Sequence, residues 1–132
     1  KQCGINHFVE TLAADAVDIF NPDISSVGGI IDMIKIIELS NKNNVRVSPH
    51  CWNSMSIAAS AMVHLCMSFP NTEMAEFFPE YIPYTLKFCN KNFEINNGFI
   101  ELENREGLGV IIDTNLLIEN TSSYKFSILD KN

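Results

Sequence analysis

The chain has 132 residues, of which 46% are hydrophobic and 19% are charged, a composition that supports one domain with a buried core. Its net charge of −7 argues against nucleic acid and anionic membranes as partners. No run of about 18 uncharged apolar residues is present, so we expect no transmembrane helix. The four cysteines form no CxxC pair and lack zinc-site spacing, which favours reduced thiols in a cytoplasmic protein.

The first third of the chain predicts alternating helices and strands. Residues 7–15 are typical of a helix, and the β-prone run at 16–21 ends at Pro22 because proline cannot continue a central strand. Residues 25–29 contain two serines and two glycines and predict a turn. A second helix follows from about Ile30 to the asparagines beyond position 40.

The middle of the chain repeats this order. Residues 45–49 predict a second strand that ends at a proline, and 55–68 predict a helix rich in Ala and Met. This helix is apolar nearly all round, which predicts burial on more than one side. A third strand is predicted at about 74–78.

The pattern changes after position 79. The runs at 93–95 and 99–103 flank an Asn-Asn-Gly turn, which predicts a β-hairpin because Asn-Gly favours a two-residue type I′ turn. A further short strand is predicted at 110–112, and the last ~15 residues are polar and predicted to be loose.

Three ionisable residues stand at the ends of the three predicted strands. Asp23, His50 and Glu76 are separated by 27 and 26 positions. A strand, its crossover helix and two loops take roughly 30 residues in a (β/α)8 barrel. A regular interval of this size returns the chain to the same edge of a parallel sheet, where barrel active sites lie. We therefore expect the three side chains to meet at the C-terminal mouth of neighbouring strands.

Each residue also has an ordinary interpretation. Asp23 is typical of a turn or a helix cap, and Glu76 of a solvent-exposed strand position. His50 alone is as consistent with a structural role as with a functional one. Its neighbour Cys51 suggests a catalytic Cys–His pair, which we disfavour because adjacent residues at a strand end point in different directions. Jointly, a base, a residue that orients it and an oxyanion partner suit proton abstraction next to a carboxylate.

Four stretches carry a resemblance to a known family, and together they cover most of residues 16–113 in the expected order. The sequence resembles the C-terminal part of the mandelate racemase/muconate lactonizing enzyme group of the enolase superfamily. The matching stretches are DIFNPDISSVGGIIDMIKI (18–36), VSPHCWNSMSIAASAMVHL (47–65), PNTEMAEF (70–77) and GFIELENREGLGVIID (98–113).

The resemblance implies an α/β fold, in which this chain supplies about strands six to eight of a (β/α)7β TIM-like barrel. Residues 1–92 would form this partial barrel, with three strand–helix units. Residues 93–132 would form a hairpin and tail that pack toward a capping domain.

The resemblance also implies roles for site residues. Asp23 and His50 are similar to the Asp–His dyad of the mandelate racemase subgroup, with His50 as general base or acid. Glu76 is similar to the strand-eight carboxylic acid that hydrogen-bonds the substrate carboxylate. Trp52 and Asn53 would contact substrate.

The same resemblance implies that half of the active site lies elsewhere. A muconate lactonizing type would carry a lysine on strand six, where this chain has Asn21 and Asp23. The family's Mg²⁺ is held by acidic residues on strands three to five, and its second base is a lysine on strand two. We expect Mg²⁺ in the full-length parent, no complete metal site in this chain, and no activity of the chain alone.

Three functions remain open from the sequence. The first is a fragment of an enzyme that abstracts the α-proton of a small carboxylate, of the acid-sugar dehydratase or racemase type, with a missing N-terminal portion. The second is a non-catalytic remnant domain that forms a homo-oligomer. The third is a flavodoxin-like sheet in which Gly28-Gly29 binds a phosphate, which the predicted hairpin disfavours.

Overall fold

A computed structural model of the protein describes residues 3–51, 56–78, 80 and 82–120. Its elements are, in chain order, α1 (Asn6–Ala13), β1 (Ile19–Phe20), α2 (Ile24–Val27), α3 (Ile30–Lys42), β2 (Arg46–Val47), α4 (Ser56–Ser68), α5 (Ile82–Thr85), β3 (Phe93–Asn96), β4 (Phe99–Leu102) and α6 (Thr114–Asn120). Among these described helices, none is both long and apolar enough to cross a bilayer.

A short parallel sheet organises the first half of the chain. Strands β1 and β2 pair in parallel, with Ile19 opposite Arg46 and Phe20 opposite Val47. The pairing continues past both strands, since the Ser48 N–H donates to the Phe20 carbonyl at 2.8 Å. The crossover between them is helical, as the sequence predicts.

The third predicted strand, at 74–78, is wrong: residues 73–78 contain no regular strand. The residue just before this segment, Thr72, forms an isolated parallel bridge with Val47 of β2. An unbroken ladder would continue with a bond from the N–H of residue 49, but Pro49 has none. The Pro49 carbonyl instead accepts from the Glu76 N–H at 3.0 Å, one residue later than an unbroken ladder would place it. Glu76 is thereby anchored next to the end of β2.

The turn predicted at 25–29 is mostly a helical turn. Residues Ile24–Val27 form the one-turn helix α2, which the side chain of Asp23 caps. The chain then turns at Gly28 and Gly29, with φ of 124° and 90°, and α3 begins. Both φ values lie in the region that favours glycine.

The core consists of two clusters that share α4. Ala61 and Leu65 of α4 pack in the first cluster, with buried side chains of β1, α2, α3 and β2. Ala59 and Met62 pack in the second, which also contains Phe93 of β3. The prediction that this helix is buried on more than one side is confirmed.

The predicted hairpin is confirmed. Strands β3 and β4 pair antiparallel from Phe93 opposite Leu102 to Asn96 opposite Phe99. The two turn residues Asn97 and Gly98 have φ of 52° and 83°, as a type I′ turn requires.

The strand predicted at 110–112 is wrong. Its pairing is one isolated antiparallel bridge between Cys89 and Ile112. The Ile111 N–H donates to the side-chain oxygen of Asn90. This bond uses a donor that a longer ladder would need, so the pairing stays local. The tail from 121 onward lies outside the described residues.

Candidate active site

The parallel ladder brings Asp23 and His50 together. The two residues form a parallel bridge beyond the ends of β1 and β2, and the His50 N–H donates to the Pro22 carbonyl at 2.9 Å. Residues paired across a ladder point to the same face of the sheet. Their side chains therefore meet, with His50 Nδ1 2.7 Å from Asp23 Oδ2.

Both oxygens of the Asp23 carboxylate are engaged. While Oδ2 faces the imidazole, Oδ1 accepts a hydrogen bond from the Ser25 N–H at 2.8 Å as the cap of α2. The side chain is 14% exposed. A carboxylate held at both oxygens has little freedom to turn, so it fixes the orientation of His50.

The imidazole of His50 lies between two carboxylates. An ionised aspartate only accepts hydrogen bonds, so we assign the proton of this bond to His50 Nδ1. In the neutral imidazole, Nε2 is then the nitrogen with the free lone pair. His50 Nε2 lies 3.6 Å from Glu76 Oε2, beyond hydrogen-bond length. The side chains of His50 and Glu76 are 25% and 40% exposed, so both are accessible to a small molecule.

All three residues singled out by their spacing thus come together at one edge of the sheet. Their chemical roles remain predictions. The membership of Trp52 and Asn53 in the site also remains a prediction, because those two residues lie outside the described part of the chain.

The alternative of a catalytic Cys51–His50 pair is not supported by the position of Cys51. Cys51 is buried in the second core cluster with Met62 and Val63, so its side chain packs into the core next to α4.

A cavity of about 250 Å³ borders the dyad. Its lining joins the aromatic rings of α1 and β1 to the polar groups at the strand end, and consists of Phe8, Phe20, Asn21, Pro22, Asp23, Ser26, Val27 and His50. Phe8 and Phe20 contact each other edge to face, with ring centroids 5.0 Å apart. One side of the dyad therefore faces a small, partly apolar space.

Two contributors to the site were not found from the sequence. The Ser25 N–H that holds Asp23 belongs to the short helix α2, which we predicted as part of a turn. The Asn21 side chain donates to the Ser48 carbonyl at 2.6 Å, whereas in the sequence Asn21 had been noted for the absence of a lysine on strand six. Pro22 was the available signal, because a proline in a strand end leaves a carbonyl on the neighbouring strand without its donor.

The described residues do not form a magnesium site. Among them, no group of three or more His, Cys, Asp or Glu side chains is placed to hold a metal ion. Mg²⁺ requires several oxygen ligands in octahedral geometry. The nearest carboxylate to the dyad cavity, Asp23, is already bonded to His50 and to the Ser25 amide. These residues therefore do not fit Mg²⁺ by themselves.

The chain matches a known protein family. The family model described as "Enolase C-terminal domain-like" matches residues 1–116. The chain belongs to this family.

Curated relatives include two enzymes of acid-sugar metabolism. The chain is 28% identical over 117 residues to D-galactarolactone cycloisomerase of Agrobacterium fabrum, covering 83% of this chain and 31% of the relative. It is 30% identical over 122 residues to D-galactonate dehydratase of Verminephrobacter eiseniae, covering 86% of this chain and 31% of the relative. The chain thus spans about a third of the length of these relatives.

Solved structures give the same fold. An enolase from environmental sequencing of the Sargasso Sea is 47% identical, with a TM-score of 0.88 over 93% of this chain and 33% of that protein. An enolase of Pantoea ananatis with bound D-gluconate and Mg is 26% identical, with a TM-score of 0.80 over 88% of this chain and 28% of that protein. The predicted fold class, the C-terminal portion of an enolase-superfamily barrel, is confirmed.

Proposed function

We propose that this chain is the C-terminal part of an enzyme that abstracts the α-proton of a small carboxylate, with Asp23 and His50 as its catalytic dyad. The observation that carries the proposal is the 2.7 Å contact between Asp23 Oδ2 and His50 Nδ1 at adjacent strand ends, with His50 Nε2 on the side of Glu76. In this arrangement the aspartate orients the imidazole, and the imidazole can act as a general base.

His50 is the proposed proton carrier. The bond to Asp23 keeps the Nδ1 proton in place, so the neutral imidazole has its lone pair at Nε2. A substrate whose α-carbon approaches Nε2 transfers its proton there. The resulting imidazolium can return that proton to a leaving hydroxyl group or to the carbanion. The single residue therefore serves as base in the first step and as acid in the second.

Glu76 is the proposed partner of the substrate carboxylate. Proton abstraction next to a carboxylate places a second negative charge on its oxygens, which a hydrogen-bond donor or a shared proton stabilises. Glu76 is fixed through its N–H on the Pro49 carbonyl, and its Oε2 lies 3.6 Å from Nε2. A small acid bound at this edge of the sheet would be within reach of both His50 and Glu76, with Trp52 and Asn53 as further proposed contacts.

Two relatives support an acid-sugar substrate. D-galactonate dehydratase and the D-gluconate-bound enolase handle sugar acids, and we propose an acid sugar as substrate, with loss of water preferred over racemisation. The proposed Mg²⁺ would be held by parts of the whole protein outside this chain, since the residues described here do not fit it. The chain alone is expected to be inactive.

Hydrogen–deuterium exchange tests the proposal. With the whole protein and Mg²⁺ in D₂O, we expect the α-proton of D-galactonate or D-gluconate to exchange with solvent. NMR measures the rate of this exchange. His50→Asn should slow this exchange by about 10²–10⁴-fold, the usual contribution of general acid–base catalysis.

A matched control is His7→Asn, because His7 lies on α1 with an exposed side chain 3.6 Å from Glu10. This variant should exchange at the unaltered rate. Exchange at an unchanged rate in His50→Asn would refute the role assigned to His50.

A further inference from the structure

The pairing between the ends of β1 and β2 lacks one main-chain donor. In a parallel ladder, a residue that donates its N–H to one carbonyl accepts at its own carbonyl from the residue two positions further along the partner strand. The N–H groups of Arg46, Ser48 and His50 donate to the carbonyls of residues 18, 20 and 22 in regular order. The donor that should meet the Ser48 carbonyl therefore belongs to residue 22. That residue is Pro22, which has no N–H.

A side chain supplies the missing donor. Asn21 Nδ2 donates to the Ser48 carbonyl at 2.6 Å. The carbonyl is thus satisfied although the main chain cannot reach it with an N–H. Only a residue with an N–H or O–H of suitable reach can make this bond, so an apolar side chain of the same size would leave the Ser48 carbonyl without this partner.

The place of this bond gives it a consequence for the dyad. Asn21 lies two residues before Asp23, and Ser48 lies two residues before His50. The bond therefore joins the two strand ends directly before the residues whose side chains meet at 2.7 Å. Beyond it, the main chain contributes the bond from the His50 N–H to the Pro22 carbonyl.

We infer that Asn21 is a positioning residue, whose amide replaces the ladder donor absent from Pro22 and holds the two strand ends in the register that aligns Asp23 with His50. Its effect on catalysis rests on the proposed function, whereas its effect on the dyad geometry does not. A misplacement of about 1 Å in a catalytic group is costly to the rate. A bond that fixes the register of the strand ends therefore also fixes the dyad geometry on which the proposed catalysis depends.

A rescue experiment tests this role. Asn21→Leu removes the donor and keeps the size of the side chain, whereas Asn21→Leu combined with Pro22→Ala returns a main-chain N–H to the position facing Ser48. Asn43→Leu is a matched control, because Asn43 Nδ2 makes an equivalent bond to the Leu39 carbonyl at the distant end of α3.

The first readout is the ¹⁵N spectrum of the His50 imidazole in the whole protein. Asn21→Leu should change the Nδ1 resonance, the double variant should restore it, and Asn43→Leu should leave it unaltered. The second readout is α-proton exchange, for which we expect a roughly tenfold lower kcat in Asn21→Leu with little change in KM, as for the loss of one hydrogen bond.

Two results would overturn the inference: an unaltered His50 signal in Asn21→Leu, or a loss of activity that Pro22→Ala does not restore, which would make Asn21 a direct substrate contact. Should Asn21→Leu not fold, the same comparison is made with Asn21→Ala. If the His50 signal responds and is rescued while no variant exchanges substrate, the positioning role stands and the proposed function fails.

Discussion

At the scale of single residues, burial changes the chemistry of the Cys66 thiol. It lies on α4 against the cluster that contains Cys51. Burial raises the pKa of Cys66 from 9.0 to about 11, and the neighbouring Cys51 adds to the rise. At neutral pH the thiol is therefore almost entirely protonated, although the side chain is not fully buried.

This pKa predicts slow alkylation. With iodoacetamide at pH 8, Cys66 should react at least tenfold more slowly than the exposed Cys3, because only the thiolate attacks. The rate at Cys66 should rise as the pH approaches 11. Peptide mass spectrometry after timed quenching measures both residues in one sample, so Cys3 is the internal control. Equal rates at pH 8 would contradict the raised pKa.

The sign of the stability effect follows from the same shift. Since the folded protein holds the proton of Cys66 more tightly than the unfolded chain, the contribution to stability is fully present below pH 9 and is lost as the pH rises through about 11.

The residues of the site differ in how far the sequence could predict them. Asp23, His50 and Glu76 could be found because a regular interval in a (β/α) repeat returns to one sheet edge. Asn21 could not be assigned a role in the same way, because its bond to Ser48 depends on the register of β1 against β2. Register is set by packing and pairing across the sheet, which spacing along the chain does not reveal.

At the scale of elements, a buried asparagine connects α4, β3 and the segment that contains Leu108 and Gly109. Asn92 precedes β3, and its side-chain oxygen accepts from the Ser60 hydroxyl of α4 at 2.7 Å. Its amide group donates to the Leu108 carbonyl. Gly109 follows directly, with φ of 67°, and packs onto the same side chain. The close approach at Gly109 leaves no room for a Cβ.

Gly109→Ala should therefore destabilise the protein by roughly 2–4 kcal/mol, combining a left-handed backbone conformation with steric overlap. A Cβ at this position would lie 2.7 Å from the Cβ of Asn92. The measurement is the free energy of unfolding from urea titration.

Gly107→Ala separates the two causes. Its φ is 60°, and a Cβ there would meet no atom within 4 Å. It should lose only the roughly 1 kcal/mol of the strained backbone. Equal losses in the two variants would show that the contact with Asn92 is unimportant.

Prolines explain one success and one failure among the predicted strands. Pro22 and Pro49 were expected to end strands, and β1 and β2 do end before them. The same Pro49 also prevents regular pairing of the next segment, and periodicity in 74–78 could not show this. A prediction from local pattern treats each strand separately, whereas a ladder needs donors from both partners.

At the scale of the whole molecule, the described residues leave several large apolar side chains in solvent. Phe99, Ile111 and Ile118 are 75%, 72% and 71% exposed. The curated relatives, about three times longer, have further chain that could cover such surfaces. We propose that the partial barrel at 1–92 and the hairpin with tail at 93–132 pack against different parts of the whole protein.

The behaviour of the 132-residue chain alone distinguishes the enzyme part from an oligomerising remnant. Exposed apolar groups without a defined partner favour association of no fixed stoichiometry. We therefore expect light scattering to show polydisperse aggregates of the isolated chain. A monodisperse oligomer with a fixed number of subunits would favour the remnant domain instead, and Phe99→Ser is a variant that should reduce association in either case.

The shared position of α4 bears on how this region can change over evolutionary time. Few packing contacts constrain the residues of α1, since Phe8 is the one buried side chain of that helix. A residue such as Met62 or Ala61 on α4 must suit its own cluster without shifting the helix against the other. Substitutions here succeed mainly in compensating pairs, so α4 should accumulate change more slowly than the helices that touch one cluster alone.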